Sequence, residues 1–496
     1  MSGSLLLRDA SVDGARVDVL VRDGVIAEIG AAGEISTGAA GIEQLLLDGR
    51  VLLPGLWDNH VHMSQWALHA KRPSTFHAAS AREAAGMMAA ALAGAGALPL
   101  DEHGRVLPLV GTGFRDGLWP DVPSRALLDE AVPSAPVVLV SADLHAVWLN
   151  SLALERFGLS DHATGVLREE PAFEIEGQIN DLPPEVLDAW VADAGRDAAA
   201  RGVVGLVDLE MSWNADTWMR RRSRGWRSQR VELGIYPQHL ERAIELGMRT
   251  GDALDALLTV GRLKIITDGS LGTRTAYCFD PYPGMQGAEA HGLLAVPPAE
   301  LEALVLRGLD AGIAPTVHAI GDHANAHVLD VFERLGVRGS AGRIEHAQLL
   351  RAADVARLGA LGIDASVQPE HALDDRDLAD LHWHGRTDGA FRVRSLLEAG
   401  ATLALGSDAP VAPLDPWVTV AAAVERAKDG REPWHPDEAI GVGDALRASV
   451  RSRIAVDEPA DLVALDADLS GADGAALRAM PVALTLLAGD ATHSTL

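Results

Sequence analysis

Two histidines one residue apart, His60 and His62, close an apolar run that begins Pro54-Gly55-Leu56-Trp57. Side chains on a strand alternate between faces, so a His-x-His pair presents both imidazoles to one side. Each ring could then bind the same metal through one nitrogen, at ~2.0–2.1 Å for zinc. A chain with 18 histidines holds such pairs by accident too, and a lone buried histidine is commonly a hydrogen-bonded core residue. This pair has company. His318 closes Ala314-Pro315-Thr316-Val317, His346 closes Arg343-Ile344-Glu345, Asp408 follows Leu403-Ala404-Leu405-Gly406-Ser407, and Lys264 sits among Leu263, Ile265 and Ile266. Imidazoles and a carboxylate at the ends of apolar runs are the donors of a divalent-metal site, and metal-assisted hydrolysis is the chemistry they support.

Other residues could face a substrate. His145 and Asn150 stand in SADLHAVWLNS (141–151), where helix or turn packing is the alternative reading. Ser270, Arg274 and Thr275 stand in DGSLGTRTA (268–276); Arg274 could hold a substrate oxygen or pair with an acidic neighbour. His371 in QPEH (368–371) lines a pocket or caps a loop. A second His-x-His, His382 and His384, follows an acidic helical stretch and is set aside. Gly269-Ser270-Leu271-Gly272 lacks the GK[ST] ending of a phosphate loop, and no GxSxG elbow supports serine-hydrolase chemistry.

Donors drawn from so many points of the chain need a scaffold whose elements converge. Eight apolar, turn-bounded runs supply one: 55–62, 203–211, 231–236, 263–268, 314–318, 343–346, 363–368 and 402–407, with helical stretches between most of them. Strand–helix alternation argues for a parallel sheet. Eight repeats predict a closed (β/α)₈ barrel of the TIM type, whose catalytic residues come from the C-terminal ends of several strands. The long gap after the first run holds strand-like pieces at 106–111 and 137–140 and a helical piece at 81–92. Residues 72–200 therefore read as an inserted cap subdomain on the active-site face. Short alternating runs at 4–7, 17–21, 25–29 and 51–53 have counterparts at 461–466 and 482–487. They predict a small β-sandwich domain built from both chain ends, residues 1–53 with 455–496, beside a barrel over 54–454. The arginines at 220–222, 224 and 227 read as a solvated helix face.

Bulk properties exclude several classes. The chain has 496 residues, 48% of them hydrophobic and 23% charged, the composition of an ordinary globular protein. A formal net charge of −28 argues against nucleic acid and anionic lipid as partners; a small-molecule substrate is the expected partner. The single cysteine, Cys278, forbids an internal disulfide and a Cys₄ metal site. No basic segment followed by an apolar one opens the chain and no apolar run nears the ~18–20 residues of a membrane span, so a cytoplasmic protein is expected. A symmetric homodimer is the commonest prior for its assembly.

In its motifs the chain resembles the amidohydrolase superfamily, and within it the branch of N-substituted formamide deformylases and related exo-acting amidohydrolases. The motifs are PGLWDNHVH (54–62), LKIITDGSLGTRTA (263–276), HAIGDHAN (318–325), RIEHAQLL (343–350), SVQPEHALDD (366–375) and GSDAPVAPLDPW (406–417), in family order over nearly the whole chain. The resemblance implies that His60, His62 and Asp408 bind one divalent metal and His318 and His346 a second. Zinc is the expected ion, two per chain, with Lys264 carboxylated by CO₂ and bridging them. Lys264 paired instead with Asp268 would leave one metal. A divalent metal lowers the pKa of bound water toward ~7 and polarises a carbonyl, and Asp408 would take the water's proton and hand it to the leaving amine. The implied reaction is hydrolysis of a non-peptide C–N bond in an amide, formamide or cyclic amide. Deamination or ester hydrolysis by the same site is an alternative, because a fold does not dictate function. A metal-free binding or assembly subunit is a third reading, against which the intact donor set speaks.

Overall fold

The computed structural model describes residues 4–36, 42–95, 98–101 and 103–496; positions 1–3 and 37–41 of the N-terminal stretch and 96, 97 and 102 of the insertion lie outside it. The eight apolar runs form eight strands: Leu56–Val61 (β1), Val203–Asp208 (β2), Arg230–Ile235 (β3), Leu258–Ile266 (β4), Pro315–Ala319 (β5), Arg343–His346 (β6), Asp364–Val367 (β7) and Thr402–Leu405 (β8). They pair in parallel in sequential order. The end of β8 returns to β1, where the Asp408 amide donates to the His60 carbonyl at 2.7 Å and the His62 amide to the Ala409 carbonyl at 2.8 Å. The result is a nearly closed TIM-like barrel. All of β1, β2, β5 and β6 is buried, as a parallel sheet wrapped by helices requires.

Helix Asp322–Leu335, which follows β5, shows how the wrapping is encoded. Ala324, Val328, Leu329, Val331 and Phe332 recur at helical spacing and join the core with Val317 of β5. Burying each large side chain of this kind contributes ~1.5–3 kcal/mol. Gly336 ends the helix at φ +68°, a conformation in which glycine meets no Cβ penalty.

Both chain ends meet in one eight-stranded sheet. Leu462–Leu465 pairs antiparallel with Val51–Pro54, which pairs in turn with Leu5–Val12, so the first barrel strand is fed directly from this sheet. The segment between β1 and β2 carries a four-stranded sheet of Leu109–Phe114, Val137–Ser141, Ala146–Leu149 and Val166–Arg168. Helices Ala81–Ala95, Arg125–Ala131, Ser151–Arg156 and Glu170–Ile179 accompany it, and Pro184–Ala199 leads on to β2. No described helix is long and apolar enough to cross a membrane.

Two readings need correction. Strands Glu43–Leu46, Ala146–Leu149, Val166–Arg168 and Asp490–Ser494 were not legible, being short and, at Glu43–Leu46 and Asp490–Ser494, mostly exposed. The arginine run is solvated only in part: Arg224 and Arg227 are exposed, but the run is organised by pairing. Arg220, Arg221 and Arg224 converge on Asp188 of helix Pro184–Ala199, Arg222 pairs with Asp255, and Arg221 is only 3% exposed. Charged groups this deep persist when paired, and pairing is a tertiary property.

Candidate active site

Alternation along β1 turns Asp58, His60 and His62 toward the barrel interior, where all three are buried. The Nε2 atoms of His60 and His62 each lie 3.3 Å from Oδ1 of Asp408, and the two rings are 5.5 Å apart. Gly406 makes this approach possible: a Cβ there would stand 2.7 Å from the His60 amide nitrogen. Asp58 ties the seam by accepting from the His60 amide at 3.1 Å and the Ser407 amide at 2.9 Å. Asp408 and His346 both sit in the left-handed region, at φ +58° and +72°. Such residues cost ~1–3 kcal/mol each and concentrate at functional sites.

Behind His60 stands Glu345, whose Oε2 meets His60 Nδ1 at 2.7 Å. Its other oxygen accepts the Thr316 hydroxyl at 2.5 Å and pairs with Arg343 at 2.8 Å. Burial would raise this carboxyl, but Arg343 and His60 outweigh it and hold Glu345 well below the ordinary carboxylate range. Burial, reinforced by the Lys264 charge, pushes His60 down to about 4, leaving a neutral ring at pH 7. Burial likewise pushes Lys264 down to about 8. Lys264 and Ile266 of β4 face the cavity while Ile265 packs outward. Asp268 does not pair with Lys264; its carboxylate accepts the amides of Tyr277, Ile320 and Gly321.

His318 and His346, at the ends of β5 and β6, have rings 4.5 Å apart, and the His346 ring is 5.0 Å from that of His60. His371 follows β7 in helix Pro369–Asp374 and stacks 6.2 Å from His346. Among the described residues, two donor sets have ligand atoms within 4.8 Å of one another: His60, His62 and Asp408, and His346, His371 and Asp408. His318 belongs to neither; its Nε2 is 3.4 Å from Asp268. His62 Nδ1, His318 Nε2, His346 Nδ1 and His371 Nε2 are buried without a hydrogen-bond partner. An unsatisfied buried nitrogen costs ~1–3 kcal/mol, and such nitrogens on four histidines lining one cavity fit a cation-binding site.

The insertion roofs this cavity. His145 lines it, 6.4 Å from the His318 ring, with Nδ1 2.9 Å from Glu169. Burial would lower His145, but the hydrogen bond and charge of Glu169, with the charge of Asp143, raise it to about 9. The other Glu169 oxygen accepts the hydroxyls of Thr273 and Thr275 at 2.9 and 2.6 Å. Ser270 also lines the cavity, but its hydroxyl donates to Asp143 at 2.8 Å, locking the loop after β4 to the cap.

The structure thus brings His60, His62, Lys264, His318, His346, Asp408, His145, Ser270 and His371 to one cavity. Asn150 and Arg274 do not reach it. Asn150 caps helix Ser151–Arg156, accepting from Ala153 and Val137 and donating to Ala135, so its amide serves local packing. Arg274 is exposed in a tight turn at φ +60° that points it away. Neither His382 nor His384 lines the cavity. Asp143, Glu169, Glu176 and Glu345 escaped the sequence reading. Glu345 adjoins His346, and alternation would place the two on opposite faces; the left-handed φ of His346 turns both toward the site.

A sequence model of the amidohydrolase family matches residues 47–493. Protein LONG AFTER FAR-RED 3 of Arabidopsis thaliana is 30% identical over 487 residues, covering 91% of this chain and 82% of its own. The N-substituted formamide deformylase of Arthrobacter pascens is 27% identical over 531 aligned positions, covering 95% and 94%. Among solved structures, an uncharacterized metal-dependent hydrolase from Pyrococcus horikoshii superposes with a TM-score of 0.78 at 24% identity, over 95% of this chain and 99% of that one.

Proposed function

The chain belongs to the amidohydrolase family, enzymes of carbon–nitrogen bonds other than peptide bonds, and we propose that it is a metal-dependent hydrolase of a small amide, formamide or cyclic amide. One observation carries the reading: His60 Nε2 and His62 Nε2 at 3.3 Å and His371 Nε2 at 3.9 Å converge on the Asp408 carboxylate, in a single cavity that His318 and His346 also line. The relative from Arthrobacter pascens is named for N-substituted formamides, which puts that class first among substrates to try. In this reading residues 54–454 are the catalytic unit, the cap at 72–200 selects the substrate, and 1–53 with 455–496 form the accessory β-domain.

His60, His62 and Asp408 would hold one divalent cation, zinc by preference, and His346 with His318 a second. Lys264, carboxylated, would lie between them, and His371 would add a donor near the second. Bound there, a divalent cation supplies Lewis acidity, lowering the pKa of water toward ~7 and polarising a carbonyl oxygen. The chain's own residues do the rest. Burial would raise Asp408, but His60, His62 and His346 hold it ionised, well below the ordinary carboxylate range. It accepts the proton of the attacking water and passes it to the departing nitrogen. Glu345 fixes the orientation of the His60 ring. The depressed Lys264 brings the neutral amine, the form CO₂ carboxylates, within reach of neutral pH. His145, protonated against Glu169, donates from its other nitrogen to a substrate oxygen.

Elemental mass spectrometry of the purified protein, with release of formate from N-substituted formamides, tests this reading. Close to two equivalents of metal per chain are expected. One equivalent, persisting after metal and bicarbonate are supplied, removes the bridging lysine; none removes the metal-dependent reaction. His145→Gln is expected to lower kcat/KM by ~10–100-fold, the range of a lost charge-assisted hydrogen bond, with metal content unchanged. Wild-type kcat/KM in that variant would show that His145 does not touch the substrate.

A further inference from the structure

The cavity that holds the metal donors is small, about 90 Å³, and adjoins a chamber of about 630 Å³. Of the two, the chamber has the ~300–1,000 Å³ of a small-molecule site. Gln65, Phe173, Glu176 and Met211 line both spaces and so form the boundary they share. Glu176, on helix Glu170–Ile179, is 7% exposed, and its Oε1 has no hydrogen-bond partner. A buried carboxyl left without a partner is costly and calls for an explanation.

None of its cationic neighbours hydrogen-bonds to it. Arg72 donates to the Ile179 carbonyl at 3.1 Å and to Asn180 Oδ1 at 2.8 Å. Arg220 and Arg221, on the chamber wall, are bound to Asp188. Further acceptors stand around the same space: Glu210 takes the Gln65 amide at 3.0 Å, and the exposed Glu174 and Asp181 lie at its edge. Leu68, Leu187, Phe173 and Met211 supply apolar wall. The chamber combines carboxylates with apolar surface; of its arginines, Arg220 is matched to Asp188, and Arg221 shares that carboxylate while its Nη1 has no hydrogen-bond partner.

We propose that this chamber binds the cationic end of the substrate, an alkyl- or arylammonium group, with Glu176 as its counter-ion. The proposal rests on the reading of the adjoining cavity as the active site. It narrows the substrate to amides whose reacting carbonyl enters the small cavity while an ammonium-bearing portion stays in the chamber. Burial, with Asp143 and Glu210 adding to it against His145 and Arg72, pushes the empty-site Glu176 up to about 8. An arriving ammonium keeps its protons, and Glu176 gives up its own to become the carboxylate partner.

Calorimetric titration of the metal-loaded enzyme at pH 7 with n-hexylammonium chloride and with 1-hexanol tests the subsite without requiring turnover. The wild type is expected to bind the ammonium at least ~10-fold more tightly than the alcohol, the scale of a hydrogen bond to a charged group. Proton release, read from the dependence of the heat on buffer, accompanies it. Glu176→Gln is expected to lose both the preference and the proton release. No binding of the ammonium, equal affinities in the wild type, or a preference that survives in Glu176→Gln overturns the proposal. Glu176→Leu is expected to keep or raise Tm, since it removes an unpaired buried carboxyl; a lowered Tm with the ammonium preference intact marks a purely structural residue and also overturns it. Turnover of mono-N-formyl-1,6-diaminohexane against N-hexylformamide is measured in parallel. Failure of both as substrates counts against formamide hydrolysis, while the titration still decides the subsite.

Discussion

Asp408→Asn is expected to lower kcat by ~10³-fold or more, within the ~10²–10⁴-fold range of a lost general base, while the protein stays folded. Asparagine matches aspartate in shape and is among the few residues that tolerate the left-handed backbone found here at φ +58°. The seam of the barrel is held by the Asp408 main-chain amide, which the substitution leaves in place. What disappears is an oxygen that can take a proton, and the negative charge that faces His60, His62 and His371 at 3.3, 3.3 and 3.9 Å. Steady-state kinetics on an N-substituted formamide, with metal content measured on the same sample, separates the two losses. Retained metal with kcat collapsed assigns the proton transfer to Asp408. Near-normal kcat would remove Asp408 from the chemistry.

Lys264→Ala is expected to lower metal content from about two equivalents toward one and to cut kcat by ~10²-fold or more, the upper end of losses from disturbed metal ligation. Lys264 is 2% exposed, and no hydrogen bond or ion pair engages its ammonium among the described residues. A buried cation without a partner is a liability in the metal-free protein. Lys264→Met, apolar and of similar length, is therefore expected to keep or raise the Tm of the metal-free form while still losing metal. Unchanged metal occupancy in both variants would show that Lys264 is not a ligand. A Tm that falls sharply in Lys264→Met would show that the amine holds the barrel together by itself.

Much of the architecture was legible because the barrel is built from repeated local signals. Each strand from β1 to β8 coincides with an apolar run bounded by turn residues, and the pieces at both chain ends alternate as half-buried strands do. The residues at the strand ends were legible for the same reason, since a histidine or aspartate closing an apolar run must face whatever the barrel surrounds. Asn150 and Arg274 misled because a polar residue in a loop has no period from which its direction can be read. Asn150 turned inward to cap a helix and Arg274 outward at a tight turn. Glu345 went unnoticed because regular strand alternation would set it opposite His346, and only the left-handed φ of His346 brings both to the site.

The sequence alone determined the number and order of the barrel strands, the place of the insertion and the kinds of donor group available. These depend on periodicity, on turn residues and on side-chain chemistry, which are written locally. Only the tertiary structure decided the rest: the Glu345 support behind His60, the convergence of arginines on Asp188, the reach of His145 down from the cap, and the unpartnered Glu176 between two chambers. Each joins segments far apart in the chain, or depends on which partners burial leaves unavailable. No local pattern encodes that, because the cost of burying a charge is set by what surrounds it in space.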